Sequence, residues 1–243
     1  MGRSAKDVLP TAGVLTLRKA LCISAALLSV ACTTAAGPPV PAPAPVNTAE
    51  TAIAPDRVAD SLLVDVQSLA PDLVVDMRYT TANNFTGAPL PGYIANRAYL
   101  RREAAAALSR VQRALRERGL GLKVFDAYRP ARATEAMVDW TARANRADLL
   151  RDGYIASRSR HNLGLAIDLT LIEPATGREL EMGTEFDTFS SAAHTANASG
   201  AIAANRQLLK SAMEREGFAS YDQEWWHFSF SGPEPLRFDV PVR

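Results

Sequence analysis

Six prolines between residues 38 and 55 divide this chain of 243 residues into two unequal parts. The proline-rich segment also contains alanine and threonine but almost no large apolar side chain, so it favours an extended, polyproline-like spacer. We therefore assign residues 32–59 to a tether and residues 60–243 to one folded domain. The apolar share of 47% in the whole chain is sufficient for a hydrophobic core in a domain of this length.

The residues before the tether have the pattern of an export signal. Four basic residues precede the apolar run 20–31, which is shorter than the roughly 20 residues that span a bilayer but suits the core of a signal peptide. The run ends in LSVAC, a lipobox-like sequence, so residues 1–31 are predicted to be a lipoprotein-type signal and Cys32 the lipidated residue. An ordinary cleaved signal is the alternative. The domain is expected to be exported to the periplasmic side, with membrane contact only through the anchor.

Charge and cysteine content exclude two classes of protein. Lys plus Arg total 27 and Asp plus Glu total 26, a net charge of +1, and residues 1–31 hold four basic residues and one acidic residue, so the remainder carries −2. Without a basic excess, no nucleic-acid partner is expected. The two cysteines, Cys22 and Cys32, both precede the predicted domain, which therefore has no disulfide framework. Any metal site in the domain must use histidine and carboxylate ligands.

Apolar periodicity predicts an α+β domain. Strands and helices do not alternate regularly, so an antiparallel or mixed sheet with helices packed on it is expected. Apolar residues three or four apart, alternating apolar residues and turn formers indicate the individual elements. The predictions are helices at 99–118, 133–147 and 202–216, strands at 73–79, 122–128, 164–172 and 225–230, and a loop at 81–93.

Three short segments contain residues that suit metal-assisted hydrolysis. His161, Asp168 and His227 are a set of zinc ligands that would leave one position of the ion open. Glu224 is suited to accept a proton from water, and Arg129, at the end of a predicted strand, is suited to stabilise an oxyanion. A hydrogen-bonded loop histidine, a turn aspartate and a surface ion pair are equally consistent with these residues. Spacing alone does not choose between the two interpretations.

The spacing also leaves open whether these side chains converge. His161 and Asp168 are seven residues apart, which places side chains on opposite faces of a regular strand, but Gly164 between them can break the strand. Glu224 and His227 are three apart, and their aromatic neighbours favour a strand or bulge over a helical turn. The H-E-x-x-H helix of many zinc peptidases is not present in the sequence.

Together the segments resemble those of the VanX-type D-alanyl-D-alanine dipeptidases, zinc enzymes of the D,D-peptidase group. The resemblance covers roughly residues 70–243 and includes DMRYTTANNFTG, PGYIANRAYL, FDAYRP, SRHNLGLAIDLTL, MGTEFD and EWWHF. It implies a hedgehog/D,D-peptidase-like fold, one Zn²⁺ per chain, and hydrolysis of the free D-Ala-D-Ala dipeptide in cell-wall turnover or D-alanine salvage.

The resemblance also implies a role for individual residues. His161, Asp168 and His227 match the zinc ligands of that family. Glu224 matches its catalytic base, and Arg129 matches the arginine that steadies the tetrahedral intermediate.

Four further residues match positions that contact substrate. They are Ser159, Tyr79, Tyr93 and Asp187, of which Asp187 would hold the substrate's free ammonium group. Each has a plainer alternative: a turn serine, a core tyrosine, a packed loop tyrosine and a helix cap, respectively. The third histidine, His194, is expected in a loop or beside the site rather than among the ligands.

Two other functions stay open at this point. One is a D,D-carboxypeptidase or endopeptidase that acts on peptidoglycan stem peptides, and the other is a non-catalytic zinc-binding lipoprotein. Resistance-type relatives act in the cytosol, whereas an exported protein would meet its substrate outside the cytoplasmic membrane. A role in vancomycin resistance is therefore not expected.

Overall fold

The computed structural model describes residues 53–232 and 236–243. The predicted signal, Cys32 and most of the predicted tether lie outside these residues. The first helix, α1 (Asp56–Leu62), begins inside the stretch predicted as tether. Pro55 precedes it with a φ of −55°, and Asp56 adds a negative charge at its amino end. Both features favour helix initiation, so the last proline of the run starts a helix instead of extending the spacer.

The helices that follow agree with the predicted ones in place but not in every boundary. They are α2 (Arg102–Arg116), α3 (Ala131–Arg143) and α5 (Gly200–Arg215), while a short helix after α3, α4 (Asp148–Arg151), was not predicted. One face of α2 is buried, as the apolar spacing predicted. The prediction began this helix too early, because Tyr99–Arg101 form a strand instead. Among the described residues, no helix is both long enough and apolar enough to cross a membrane.

The strands form one mixed sheet and a separate pair. They are β1 (Leu63–Asp65), β2 (Val74–Val75), β3 (Tyr99–Arg101), β4 (Gly121–Asp126), β5 (Ala166–Glu173), β6 (Arg178–Glu179), β7 (Phe218–Tyr221) and β8 (Glu224–Phe230). The main sheet has the order β2-β4-β5-β8-β7, with β6 beside β5, and β1 pairs with β3. The β2–β4 pair is parallel and the other pairs are antiparallel, so the predicted α+β fold with a mixed sheet is confirmed.

The strand predicted at 73–79 is wrong for most of its length. Val74 and Val75 pair with β4, and the chain then turns into a 3₁₀-helix at Arg78–Thr80. The side chain of Asn96 accepts a hydrogen bond from the N–H of Met77 and donates one to the carbonyl of Val75. These side-chain bonds replace strand pairing, so the strand ends early.

The centre of the sheet is a rigid base for the residues described below. Helices α2 and α5 pack against each other and against the sheet. Strand β5 is buried from Ala166 to Ile172. A strand covered in this way is held by packing along its whole length, so side chains that it carries are well fixed in position.

Candidate functional site

Three ionisable side chains lie in one row across the middle of the sheet. Asp168 in β5 is paired directly with Asp126 in β4 and with His227 in β8. Opposed residues of antiparallel strands project from the same face, with Cβ atoms about 4.5–5.5 Å apart. Strand register therefore brings an acid, a second acid and a histidine together, although they are far apart in the sequence.

His161 reaches the same point from the turn that precedes β5. A 3₁₀-helix over Arg160–Leu163 ends at Gly164, whose φ is +66°. A Cβ atom on that glycine would lie 2.6 Å from a methyl carbon of Leu63, so glycine is required there for both conformation and space. Nδ1 of His161 donates to the carbonyl of Ala127 at 2.6 Å, which leaves the lone pair on Nε2. The seven-residue spacing between His161 and Asp168 required a break in the strand for the two side chains to converge, and Gly164 provides it.

His161, Asp168 and His227 form a triangle of potential ligand atoms. Its sides are 2.9 Å (His227 Nδ1 to Asp168 Oδ1), 3.2 Å (His227 Nδ1 to His161 Nε2) and 3.4 Å (His161 Nε2 to Asp168 Oδ1). Ligands held at about 2.0–2.1 Å by a tetrahedral zinc ion lie about 3.3 Å apart, so the triangle fits one face of such a tetrahedron. The donor set therefore fits zinc with one position left open.

The protonation of these groups also suits a metal. Burial lowers the pKa of His227, which favours the neutral form of its imidazole. Burial opposes ionisation of Asp168, but the neighbouring His161 and His227 outweigh it and hold the pKa of that carboxyl below its usual range. Metal ligation requires a neutral imidazole and an ionised carboxylate, and the two pKa shifts favour these forms of His227 and Asp168.

Glu224 faces the triangle from the beginning of β8. The register between β7 and β8 shifts beside it, so this end of β8 is irregular, and Oε2 of Glu224 lies 3.9 Å from Nδ1 of His227. Burial, followed by the charges of Asp168 and Asp187, raises the pKa of Glu224 well above its usual range. In the described part of the chain, no side chain donates a hydrogen bond to this carboxylate. It is therefore available to exchange a proton with a bound molecule.

Arg129 also lies beside the triangle, just after β4. Its guanidinium donates to Oδ2 of Asp126 from Nε at 2.9 Å and pairs with the same oxygen through Nη2 at 2.8 Å. Nη2 also lies 3.9 Å from Oδ2 of Asp168, and the guanidinium carbon lies 5.3 Å from the centre of the Tyr79 ring. The residue is 9% exposed. Such a buried, fixed cation is suited to stabilise an oxyanion.

A cavity of about 340 Å³ opens onto these groups. Tyr79, Ser159 and Asp187 line it together with the three potential ligands, Glu224 and Arg129. Aromatic rings supply an apolar wall: Phe85, Phe189 and Trp226. This combination of an apolar wall with a few convergent polar groups is typical of a site for a small molecule.

Asp187 has an unusual backbone and few partners. Its φ is +61°, a conformation that residues other than glycine adopt at a cost. Its carboxylate accepts a hydrogen bond from the hydroxyl of Tyr79 at 3.1 Å. Burial raises the pKa of Asp187, and a cation bound in the cavity would oppose that shift. The helix that Asp187 was alternatively expected to cap is not formed, because the next helical segment is the 3₁₀-helix Ser191–Ala193.

Ser159 and Tyr93 are used differently from each other. Ser159 lines the cavity, and its hydroxyl also accepts a hydrogen bond from the N–H of His161 at 3.3 Å as a helix cap. Tyr93 does not line this cavity: its hydroxyl donates to Oδ1 of the buried Asp126 at 2.5 Å. The structure thus places Tyr93 inside the protein beside the partner of Arg129. This placement agrees with the alternative of a packed loop tyrosine, and the substrate contact stays a prediction.

Comparison with known proteins identifies the family. A model of the M15 peptidases described as "D-ala-D-ala dipeptidase" matches residues 59–239. The chain belongs to this family. Among curated relatives, the D-alanyl-D-alanine dipeptidase of Streptomyces coelicolor is 37% identical over 194 residues, which cover 73% of this chain and 96% of the relative. That of Enterococcus faecium is 38% identical over 186 residues, which cover 69% and 92%.

A solved structure shows a weaker likeness to this M15 peptidase. It is a vancomycin resistance D,D-dipeptidase, VanXYg, in complex with a D-Ala-D-Ala phosphinate analogue. The TM-score is 0.39 at 19% identity, and the match covers 71% of this chain and 67% of that one. Family membership, and with it the resemblance predicted from the sequence, rests on the family model and the curated relatives.

Two residues that shape the site of this M15 peptidase received no role from the sequence. One is Asp126, which stands in the segment FDAYRP beside Arg129. The other is Arg206 in α5, which is 2% exposed and donates at 2.7–2.9 Å to the backbone carbonyls of Met182, Ala192 and His194. One guanidinium thus holds both ends of the loop that carries Asp187.

The imidazole of His194 pairs with the hydroxyl of Tyr154 at 2.9 Å, outside the ligand triangle.

Proposed function

We propose that this protein is a zinc-dependent peptidase that hydrolyses the free D-Ala-D-Ala dipeptide. The observation that carries the proposal is the ligand triangle of His161, Asp168 and His227 with Glu224 and Arg129 facing the same cavity. Membership in a family described as D-ala-D-ala dipeptidase supports the substrate. A non-catalytic zinc protein would have no need of an unpaired glutamate and an oriented arginine beside the ligands.

In the proposed mechanism, His161, Asp168 and His227 would hold one zinc ion, which would supply Lewis acidity to the substrate carbonyl and would make water more acidic. Glu224 accepts a proton from a water molecule while the oxygen of that water attacks the carbonyl carbon. Glu224 then transfers that proton to the leaving amine as the C–N bond breaks. Arg129 donates N–H groups to the carbonyl oxygen as it becomes negative.

Chirality of the substrate gives a direct test of the proposed function. The full-length protein saturated with zinc should release alanine from D-Ala-D-Ala and not from L-Ala-L-Ala, measured as free amino acid. Failure to hydrolyse the D,D-dipeptide while zinc is bound would contradict the proposal.

Asp187 is proposed to bind the free ammonium group of the dipeptide. Asp187→Asn should lower kcat/KM for D-Ala-D-Ala by about 10- to 100-fold, the equivalent of one hydrogen bond between charged groups. The same change should affect N-acetyl-D-Ala-D-Ala little, because that substrate has no ammonium group to bind.

The control for this variant is Asp222→Asn, which alters an exposed aspartate that does not line the cavity. This control should leave kcat/KM for both substrates unchanged. Equal losses on the free and acetylated substrates in Asp187→Asn would show that Asp187 does not recognise the amine.

We also propose that the activity lies outside the cytoplasmic membrane, in cell-wall turnover or D-alanine salvage. Support comes from the signal-like segment 1–31 and the lipobox-like sequence that ends at Cys32. Radiolabelled palmitate should be incorporated into the wild type and into Cys22→Ala but not into Cys32→Ala. Equal labelling of Cys32→Ala would exclude this cysteine as the anchor.

A further inference from the structure

Asp126 is a buried charged residue that no step of the proposed reaction uses. It is 0% exposed and lies in the same row across the sheet as Asp168. Burial of a carboxylate is costly unless hydrogen bonds and opposite charges compensate for it. Tyr93 donates to one of its oxygens and Arg129 to the other, so both oxygens are compensated.

Asp126 is not one of the potential zinc ligands, because it contacts His161 on the side of the imidazole that faces away from the triangle. Oδ2 of Asp126 lies 3.4 Å from Nδ1 of His161, whereas the triangle uses Nε2 on the other side of that imidazole. Nδ1 is itself bonded to the carbonyl of Ala127. Asp126 therefore faces the rear of one potential ligand and one edge of the arginine at the same time.

We propose that Asp126, with Tyr93, is a positioning residue that holds Arg129 in the orientation needed to stabilise the oxyanion. This inference rests on the function proposed above. A hydrogen bond from Nε and an ion pair through Nη2 join one edge of the guanidinium to a single oxygen of Asp126. The position of the guanidinium over the Tyr79 ring restrains its plane. A donor fixed in advance needs no reorganisation when charge develops on the substrate.

Tyr93 is the second part of this arrangement. Burial raises the pKa of its hydroxyl well above the usual range, so the group stays protonated and donates to Asp126. The backbone at Tyr93 bridges to Val242, and the N–H of Val242 donates to the carbonyl of Gly92. The carboxyl-terminal segment thus holds Tyr93 in place, and Tyr93 in turn holds Asp126.

A double-mutant cycle in the full-length, zinc-loaded protein tests the inference. Asp126→Asn should lower kcat/KM for D-Ala-D-Ala by about 10- to 100-fold, as is common for outer-shell residues, mainly through kcat. Affinity for a phosphinate analogue of D-Ala-D-Ala, which mimics the tetrahedral state, should fall by a similar factor while bound zinc is unchanged. In an Arg129→Ala background, the same change should alter kcat/KM by less than about twofold.

Two further variants keep the test decisive if Asp126→Asn folds poorly. Tyr93→Phe keeps the carboxylate and should give a smaller loss that also disappears in the Arg129→Ala background. Tyr128→Phe is the matched control, because the buried hydroxyl of Tyr128 donates to the carbonyl of Val240 instead, so kcat/KM should be unchanged.

Two results would overturn the positioning role. One is an equal loss from Asp126→Asn, or from Tyr93→Phe, with and without Arg129, and the other is a loss of activity that follows a loss of zinc. Full activity of Arg129→Ala alone would instead contradict the oxyanion role in the proposed function. The two failures are therefore distinguishable.

Discussion

Glu224→Gln is expected to lower kcat for D-Ala-D-Ala hydrolysis by about 10²- to 10⁴-fold, the usual contribution of a general base. The amide has nearly the same size as the carboxylate but cannot accept the proton of water. Glu224 lies beside the ligand triangle rather than in it, with Oε2 3.9 Å from Nδ1 of His227. Bound zinc should therefore stay at the wild-type level, as measured by elemental analysis of the purified variant.

The control for this experiment is Glu185→Gln, since Glu185 is exposed and does not line the cavity. It should keep both activity and zinc. Wild-type turnover by Glu224→Gln would contradict the assignment of the base. Loss of zinc together with activity would show that this glutamate supports the metal instead.

Removal of zinc should abolish hydrolysis, and His227→Ala should do so without a chelator. His227 supplies one corner of a three-atom triangle, and the two remaining ligands are fewer than the three protein ligands of catalytic zinc sites. The zinc content of purified His227→Ala should fall close to zero after dialysis, and turnover should fall below detection. In the wild type, a chelator should remove activity and added Zn²⁺ should restore it.

The third histidine provides the matched control. The ring of His194 contacts Tyr154 and is not part of the triangle, so His194→Ala should retain zinc after the same dialysis. If His227→Ala kept zinc as well as His194→Ala does, the ligand set proposed here would be wrong.

The longer elements could be predicted because their apolar pattern and their environment agree. Helices α2 and α5 and strands β4, β5 and β8 lie close to the predicted positions. The errors fall where long-range contacts decide a short segment. Tyr99–Arg101 continued an apolar helical pattern but pairs with β1. Residues 76–79 alternate like a strand, but the N–H of Met77 donates to the side chain of Asn96 instead of to a neighbouring strand.

For the site, residue types and the family resemblance supplied the candidates, and tertiary geometry supplied their convergence. The left-handed Gly164 turns His161 towards Asp168, and cross-strand register brings His227 to the same aspartate. The contact between Tyr93 and Asp126 joins residues 33 positions apart, and no local pattern signals such a pairing. The sequence alone therefore assigned no role to Asp126.

The most direct test of the proposed function is the ratio of kcat/KM for free D-Ala-D-Ala to that for N-acetyl-D-Ala-D-Ala, measured on the full-length protein saturated with zinc. A dipeptidase whose cavity recognises the ammonium group through Asp187 should strongly prefer the free dipeptide. A preference for the acetylated substrate would contradict this account and would identify a D,D-carboxypeptidase or endopeptidase acting on stem peptides.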